Sequence, residues 1–160
     1  MGKLTEGQAT DLANISVALS TLSFIASSFI LYSYYKFPNL RKFSFKLVCM
    51  LAISDIVIDI AYMFGHQEEG SATCIAQAML QQFAELSSVL WTAVIAYCLY
   101  FTIVKQAPRG LEEKMNIFVA LCWGVPFIFM FLPLSTDSYG DSGAWCWIKS
   151  TEKREVDAGT

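Results

Sequence analysis

Four long apolar runs constrain this chain more than any other feature, because each is long enough to cross a lipid bilayer. A transmembrane helix needs about 20 apolar residues to span about 30 Å of hydrocarbon. Only 16% of the 160 residues are charged, and nearly all of the charges fall between the runs. We therefore predict an all-α membrane protein with four transmembrane helices. The predicted domain is 13–148, with spans at about 13–35, 45–64, 72–104 and 115–134, an extracellular segment 1–12 before it and a polar tail 149–160 after it.

The placement of Lys and Arg between the runs predicts the orientation. Cytoplasmic loops are enriched in Lys and Arg, and here the first and third loops are basic while the second holds acids. The N-terminus and the tail are then outside the cell, in a multi-pass protein of the plasma membrane. No basic, aromatic-rich surface indicates nucleic acid as a partner. The loop charges are Lys36, Arg41, Lys42 and Lys46 in the first loop, Glu68 and Glu69 in the second, and Lys105, Arg109 and Lys114 in the third.

Two of the five cysteines lie on the predicted outer side. Cys74 is at the outer end of the third run and Cys146 is in the segment after the fourth. Disulfides form in oxidising compartments, so we expect these two to be bridged, which would close about seventy residues and contribute about 4 kcal/mol. The alternative is two unpaired thiols on the same side. The other three, Cys49, Cys98 and Cys122, fall inside spans, where Cys behaves as a small apolar residue.

Ionisable and amide side chains inside the spans are the candidates for mechanism. Asp55 and Asp59 lie four residues apart in the second span, and groups of this kind normally face the interior of a bundle. The third span carries a polar stripe at steps of three and four residues, which we expect to face the second span. Two interpretations stay open: a ligand-gated or cation-sensitive switch, or a hydrogen-bonded helix interface. The stripe consists of Gln77, Gln81, Glu85, Ser88 and Thr92.

The first and fourth spans carry packing signals. Ser16, Ser20, Ser23 and Ser27 recur at steps of three and four, a spacing that allows close helix approach. The fourth span holds Trp123-Gly124-Val125-Pro126, which predicts a kink at the proline and a close contact surface at the glycine. No grouping of residues indicates a catalytic site, a metal or another cofactor, so we predict that the chain is not an enzyme.

Several strings occur together and in order: LRKFSFKLV leading into LAISD, then SSVLWTAVIA, CWGVP and AWCWI. This set resembles the seven-helix G-protein-coupled receptors of the slime-mould cyclic AMP receptor and plant receptor-like group, and is distantly similar to secretin-type receptors. The resemblance implies helices one to four of a seven-helix bundle, an unknown extracellular ligand and a heterotrimeric G protein as partner.

The resemblance also assigns roles by position. It implies that Cys74 and Cys146 tie the third helix to the second outer loop, and that Asp55 is the acid of the second helix. The remaining matches are the basic loop facing the G protein, Arg41, Lys42 and Lys46, and the packing motif, Trp91, Trp123, Gly124, Pro126 and Trp147. Asp59, Gln81 and Glu85 match no motif, and their place in a polar bundle core with Ser88 rests on the spacing argument.

Three functions follow as hypotheses. Because the related receptors continue through three more helices, the leading expectation is the N-terminal part of a signalling receptor, as a fragment or truncated product. The second is a non-signalling four-span scaffold or modulator of full-length receptors. The third is a small transporter subunit that uses Asp55, Asp59 and Glu85 as a cation or proton relay.

Overall fold

The computed structural model describes residues 6–65, 67, 70–105, 110–136, 138–141 and 145–148. The charges of the second loop at Glu68 and Glu69, the third-loop Arg109 and the polar tail lie outside these ranges. The described elements are α1 (Glu6–Lys36), a 3-10 turn (Pro38–Leu40), α2 (Phe43–Met63), α3 (Ala72–Ile103), α4 (Met115–Phe129), α5 (Leu132–Ser135), β1 (Tyr139–Asp141) and β2 (Cys146–Ile148).

Consecutive long helices pack as antiparallel neighbours, α1 on α2, α2 on α3 and α3 on α4. Ring contacts show the direction at two of the pairs. Tyr34 near the end of α1 stacks on Phe45 near the start of α2, and Tyr97 late in α3 meets Phe118 early in α4 edge-on. This order follows from the short connections, which leave no room for a helix to pack elsewhere than beside its predecessor.

Three helices are long and apolar enough to cross a membrane: Gly7–Lys36, Ala72–Ile103, and Met115–Ser135, which joins α4 and α5. The 21-residue α2 is apolar on average but contains Lys46, Asp55 and Asp59, more charged residues than any other predicted span. The fold is thus that of a multi-pass helical membrane protein. The structure is consistent with the all-α expectation, and β1 and β2 add a small antiparallel hairpin after α5.

The helix ends are stabilised by local interactions. Arg41 folds back to donate from Nε and a terminal guanidinium nitrogen to the carbonyl oxygens of Tyr34 and Tyr35 (3.3 and 2.9 Å), which satisfies carbonyls that the end of α1 leaves open. Ser71 caps α3, since its Oγ accepts from the amide of Cys74 at 3.1 Å. Gly65 follows α2 with φ +64, a conformation that favours glycine.

Pro126 shapes the end of α4. It lies inside the helix, where it cannot donate to the carbonyl four residues earlier. The helix continues for only three residues to Phe129 and then gives way to α5. The fourth predicted run is therefore divided between two helices.

Two apolar clusters hold the helices together. The larger lies among α2, α3, α4 and the segment before α4, and the smaller joins the start of α3 to the hairpin. The larger is formed by Leu47, Trp91, Cys98, Leu111, Phe118 and Cys122, and the smaller by Cys74, Ala78, Tyr139 and Cys146. The smaller cluster packs the hairpin against the start of α3.

Candidate functional site

The α2–α3 interface carries a column of polar side chains, as the stripe on the third run predicted. At the end farthest from the hairpin, Ser88 Oγ of α3 donates to Asp55 Oδ1 of α2 at 3.0 Å. Both side chains are half-buried. The Asp55 carboxyl group, which the resemblance placed in the second helix, thus has its partner on α3.

One and a half turns nearer the hairpin, three side chains form a closed hydrogen-bonded triangle. Tyr62 OH donates to Glu85 Oε1 at 3.2 Å, and Gln81 Nε2 donates to Tyr62 OH at 3.0 Å and to Glu85 Oε1 at 3.1 Å. Trp145 stands edge-on to the Tyr62 ring, with centroids 5.4 Å apart. Tyr62 was missed at the level of sequence, because a tyrosine near a helix end is usual for the membrane interface.

Gln77 forms the outer end of the column and joins three segments. Its Nε2 donates to the carbonyl oxygens of Ala61 and Gly65 at 2.9 and 3.0 Å. Its Oε1 accepts from the backbone amide of Cys146 at 3.3 Å. The side chain is completely buried, so the end of α2, the start of α3 and strand β2 share one internal polar contact.

Two residues of the expected column lie elsewhere. Asp59 is buried and is hydrogen-bonded to Ser23 of α1, while its Oδ2 has no partner among the described residues. Asp55 and Asp59 therefore face different neighbours, although they are one turn apart. Thr92 is exposed and bonds its own helix through the Ser88 carbonyl, so the inward stripe ends at Ser88.

The tryptophan motif forms the contact between α3 and α4. Trp91 is completely buried and meets Trp123 edge-on, with centroids 6.2 Å apart. Pro126 is also buried. Gly124 departs from the expectation of a close contact, because it is exposed and no described atom lies within 4 Å of where its Cβ would be.

The hairpin is fixed to α3 at several points. Cys74 and Cys146 form the disulfide that their sidedness predicted, and Trp147 Nε1 donates to Gln82 Oε1 at 3.1 Å. Tyr139 is buried, donates its hydroxyl to the carbonyl of Met130 at 2.8 Å, and has its pKa raised to about 12 by burial.

At the opposite end, the basic first loop contacts the segment before α4. Lys46 Nζ pairs with Glu112 Oε1 at 3.2 Å, Lys42 is exposed, and Arg41 is occupied by the end of α1. Two of the three predicted loop cations thus have a structural partner, and one projects into solvent.

The chemistry available at the α2–α3 interface is hydrogen bonding and charge. Asp55, Asp59 and Glu85 contact neutral donors, and the basic side chains of α2 to α4 that the structure describes lie toward the other end. Within the described ranges, no three His, Cys, Asp or Glu side chains group so as to hold a metal. The side chains of the polar column can exchange hydrogen-bond partners when α2 and α3 shift.

Fold and site together define a multi-pass helical membrane protein with a disulfide between α3 and the hairpin and a polar column between α2 and α3. Residues 5–154 match the slime mold cyclic AMP receptor family, and the chain belongs to that family. The resemblance deduced from the sequence motifs is thereby confirmed. The proposed distant link to secretin-type receptors stays a prediction.

Curated relatives agree with the family. The chain is 34% identical over 149 residues to G-protein coupled receptor 1 of Arabidopsis thaliana, covering 93% of this chain and 45% of the relative. It is 29% identical over 144 residues to cyclic AMP receptor-like protein A of Dictyostelium discoideum (88% and 38%), and 30% identical over 152 residues to G-protein coupled receptor 157 of Homo sapiens (89% and 44%). The chain thus spans less than half the length of these relatives.

Proposed function

We propose that this chain contributes to a G-protein-coupled receptor that transmits an extracellular signal by rearranging the α2–α3 interface. The observation that carries the proposal is the polar column from Gln77 to Ser88. It connects the hairpin, which we place outside the cell, to the middle of the membrane helices. A ligand that moves the hairpin changes the partners available to Glu85 and Asp55.

The proposal includes four spans, with domain 13–148 as one unit in the plasma membrane and the N-terminus outside. Support for α2 as a span comes from its position between α1 and α3, which pack on it along their lengths, and from inward partners for both of its acids. A membrane helix tolerates acids that are directed to neighbouring helices.

The negative charge of the polar column limits which ligand groups it can bind. The cyclic nucleotide that appears in the names of some relatives carries a phosphate anion, whereas the described column presents carboxylates and neutral donors and acceptors. Like charges in a site of low dielectric repel. We propose that the part of the site on these helices takes a neutral, hydrogen-bonding or cationic group.

Epitope accessibility on intact cells tests the topology. Tags before Met1 and after Thr160 should both be labelled without permeabilisation, because four crossings return the chain to its starting side. Labelling at only one end would show an odd number of crossings and reject the four-span proposal.

Nucleotide exchange on heterotrimeric G proteins tests the signalling proposal. The chain is co-expressed with a panel of Gα subunits, and exchange is compared for wild type, Asp55→Asn and the control Thr92→Val, which alters an exposed side chain outside the column. A change with Asp55→Asn alone supports signalling through the column. Equal exchange in all three proteins and in cells without the chain rejects it.

Exposed apolar helix faces favour the scaffold or modulator as second candidate. Only 11 to 17% of the most apolar stretch of each of the three span-length helices is buried within the chain, which leaves surface for further helices. Co-purification with a full-length relative, together with unaltered nucleotide exchange, would favour this function. The relay hypothesis has less support, because Asp55 and Asp59 face α3 and α1 respectively.

A further inference from the structure

A groove between α3 and α4 lies outside the polar column and has a different chemistry. Its volume is about 270 Å³, close to the lower end of small-molecule sites at about 300 Å³. The walls are almost wholly apolar. They are formed by Leu90, Ala93, Val94 and Tyr97 of α3 with Phe118, Leu121 and Cys122 of α4.

The groove is open to the surface, with a buried floor and an exposed rim. Cys122 and Phe118 are buried and form the floor, while Leu121 and Tyr97 are 52% and 41% exposed at the rim. The edge-on contact of Tyr97 with Phe118, 6.2 Å between centroids, closes the floor toward the basic end of the helices. Such an open apolar groove can accommodate a hydrocarbon chain.

At that basic end, one lysine follows α3 and another precedes α4. Lys114 lies one turn before Phe118, whose amide donates to the Lys114 carbonyl at 3.0 Å, so the two side chains share a face of α4. Lys105 follows the last turn of α3, with its amide 3.4 Å from the Tyr100 carbonyl oxygen. Both lysines are exposed, and neither forms an ion pair within the described part of the chain.

Nearby acids leave this positive charge available. Glu112 is paired with Lys46, and Glu113 is exposed beside Lys114. Lysine stems can lie along apolar surface while the ammonium stays at the membrane boundary. An apolar groove whose two helices are each flanked by an exposed lysine at one end is complementary to a molecule with a hydrocarbon tail and an anionic head.

We propose that the α3–α4 groove binds an anionic phospholipid, with an acyl chain between Ala93 and Leu121 and the phosphate at Lys105 and Lys114. The occupant belongs to the membrane leaflet at the basic end of the helices. The proposal does not depend on the chain acting as a receptor. It assigns α3 and α4 a specific lipid site, in contrast to the general lipid contact of the exposed face of α1.

Native mass spectrometry of the full chain in neutral detergent tests the site. Phosphatidylglycerol and phosphatidylcholine with identical acyl chains are titrated separately, so only the head group differs. A basic residue near anionic lipid contributes about fivefold, or about 1 kcal/mol, in affinity. We expect about 25-fold preference for phosphatidylglycerol from two lysines.

Matched variants separate this site from general surface charge. Lys105→Gln/Lys114→Gln should abolish the preference, whereas Lys36→Gln/Lys42→Gln removes equal charge at the same end and should preserve it. Glu113→Gln should leave binding unchanged or strengthen it. Equal losses in the two double variants would overturn the proposal, because the preference would then come from the whole basic surface.

A larger side chain inside the α3–α4 groove tests the acyl-chain contact. Ala93→Phe should reduce binding of both lipids, while Ala96→Phe, on an exposed part of α3 outside the groove, should not. Thermal unfolding of each variant excludes misfolding. If wild type is instead a stable dimer that Ala93→Phe dissociates, the groove binds a second copy and the lipid proposal is wrong.

Discussion

Replacing Gln77 with Met should destabilise the chain more than any other single polar substitution at the α2–α3 interface. Met has nearly the same length and volume as Gln but cannot hydrogen bond. The change removes the partners of the Ala61 and Gly65 carbonyl oxygens and of the Cys146 amide. Because the amide of Gly65 donates to the Tyr62 carbonyl, it cannot replace Gln77 at Ala61.

The magnitude follows from the burial of the groups left behind. Gly65 is half-buried, so water can replace its partner. Ala61 and Cys146 are completely buried, and each unsatisfied buried group costs about 1–3 kcal/mol. We therefore expect a loss of about 2–6 kcal/mol in the free energy of unfolding, or about 4–24 °C in Tm for a chain of this size.

The three free cysteines provide the assay. Cys49, Cys98 and Cys122 are all buried, so a thiol-reactive fluorophore labels them only as the helices separate, and its fluorescence during heating gives Tm in detergent. Gln82→Met is the matched control, because it removes one half-buried hydrogen bond, to Trp147, worth about 1 kcal/mol. A Tm for Gln77→Met equal to that of the control would refute the reasoning.

Three further predictions concern the two ends of the molecule. Replacing Cys74 and Cys146 with Ser removes a crosslink spanning 72 residues and should lower the free energy of unfolding by about 4 kcal/mol. Mass spectrometry of the unreduced wild type should find the linked peptides. Alkylation of both thiols would contradict the bridge. Tyr139, with its pKa raised to about 12, should contribute stability that is complete below pH 10 and lost between pH 10 and 12. The difference in tyrosinate absorbance between wild type and Tyr139→Phe should have its midpoint near pH 12. A midpoint near pH 10 would instead show that the phenol is exposed. Because Lys46 and Glu112 are 36% and 68% exposed, neutralising either should change stability by less than about 1 kcal/mol, and a larger, salt-insensitive effect would contradict a surface pair.

The disulfide and the inward polar stripe could be predicted because each follows from a one-dimensional pattern. Sidedness alone paired Cys74 with Cys146, and the period of the third run placed Gln81, Glu85 and Ser88 on one face. The partner of Asp59 could not be deduced in the same way. Whether a residue one turn from Asp55 faces α1 or α3 depends on how α2 is rotated between its neighbours.

The outer segment shows a second limit. Strands of three residues, Tyr139–Asp141 and Cys146–Ile148, are too short for the alternation that identifies a strand. The break after Phe129 depends on how far a helix continues past Pro126, which local packing decides. At Gly124 the sequence suggested a contact that the described chain does not make. A small residue beside Trp123 predicted a close helix approach, but Gly124 faces away from the described residues.

The locations of the five cysteines have a consequence for biosynthesis. Cys74 and Cys98 lie on the same helix, 24 residues apart, a distance of about 36 Å at 1.5 Å per residue. Once α3 has formed, Cys146 cannot reach Cys98 while Cys146 is packed at the start of that helix. Cys122 packs in the same apolar cluster as Cys98, and Cys49 is buried in the second turn of α2, at the end of the helix far from the hairpin. Once the helices are packed, Cys74 is therefore the cysteine of this chain that Cys146 can reach, so helix packing before oxidation favours the native disulfide.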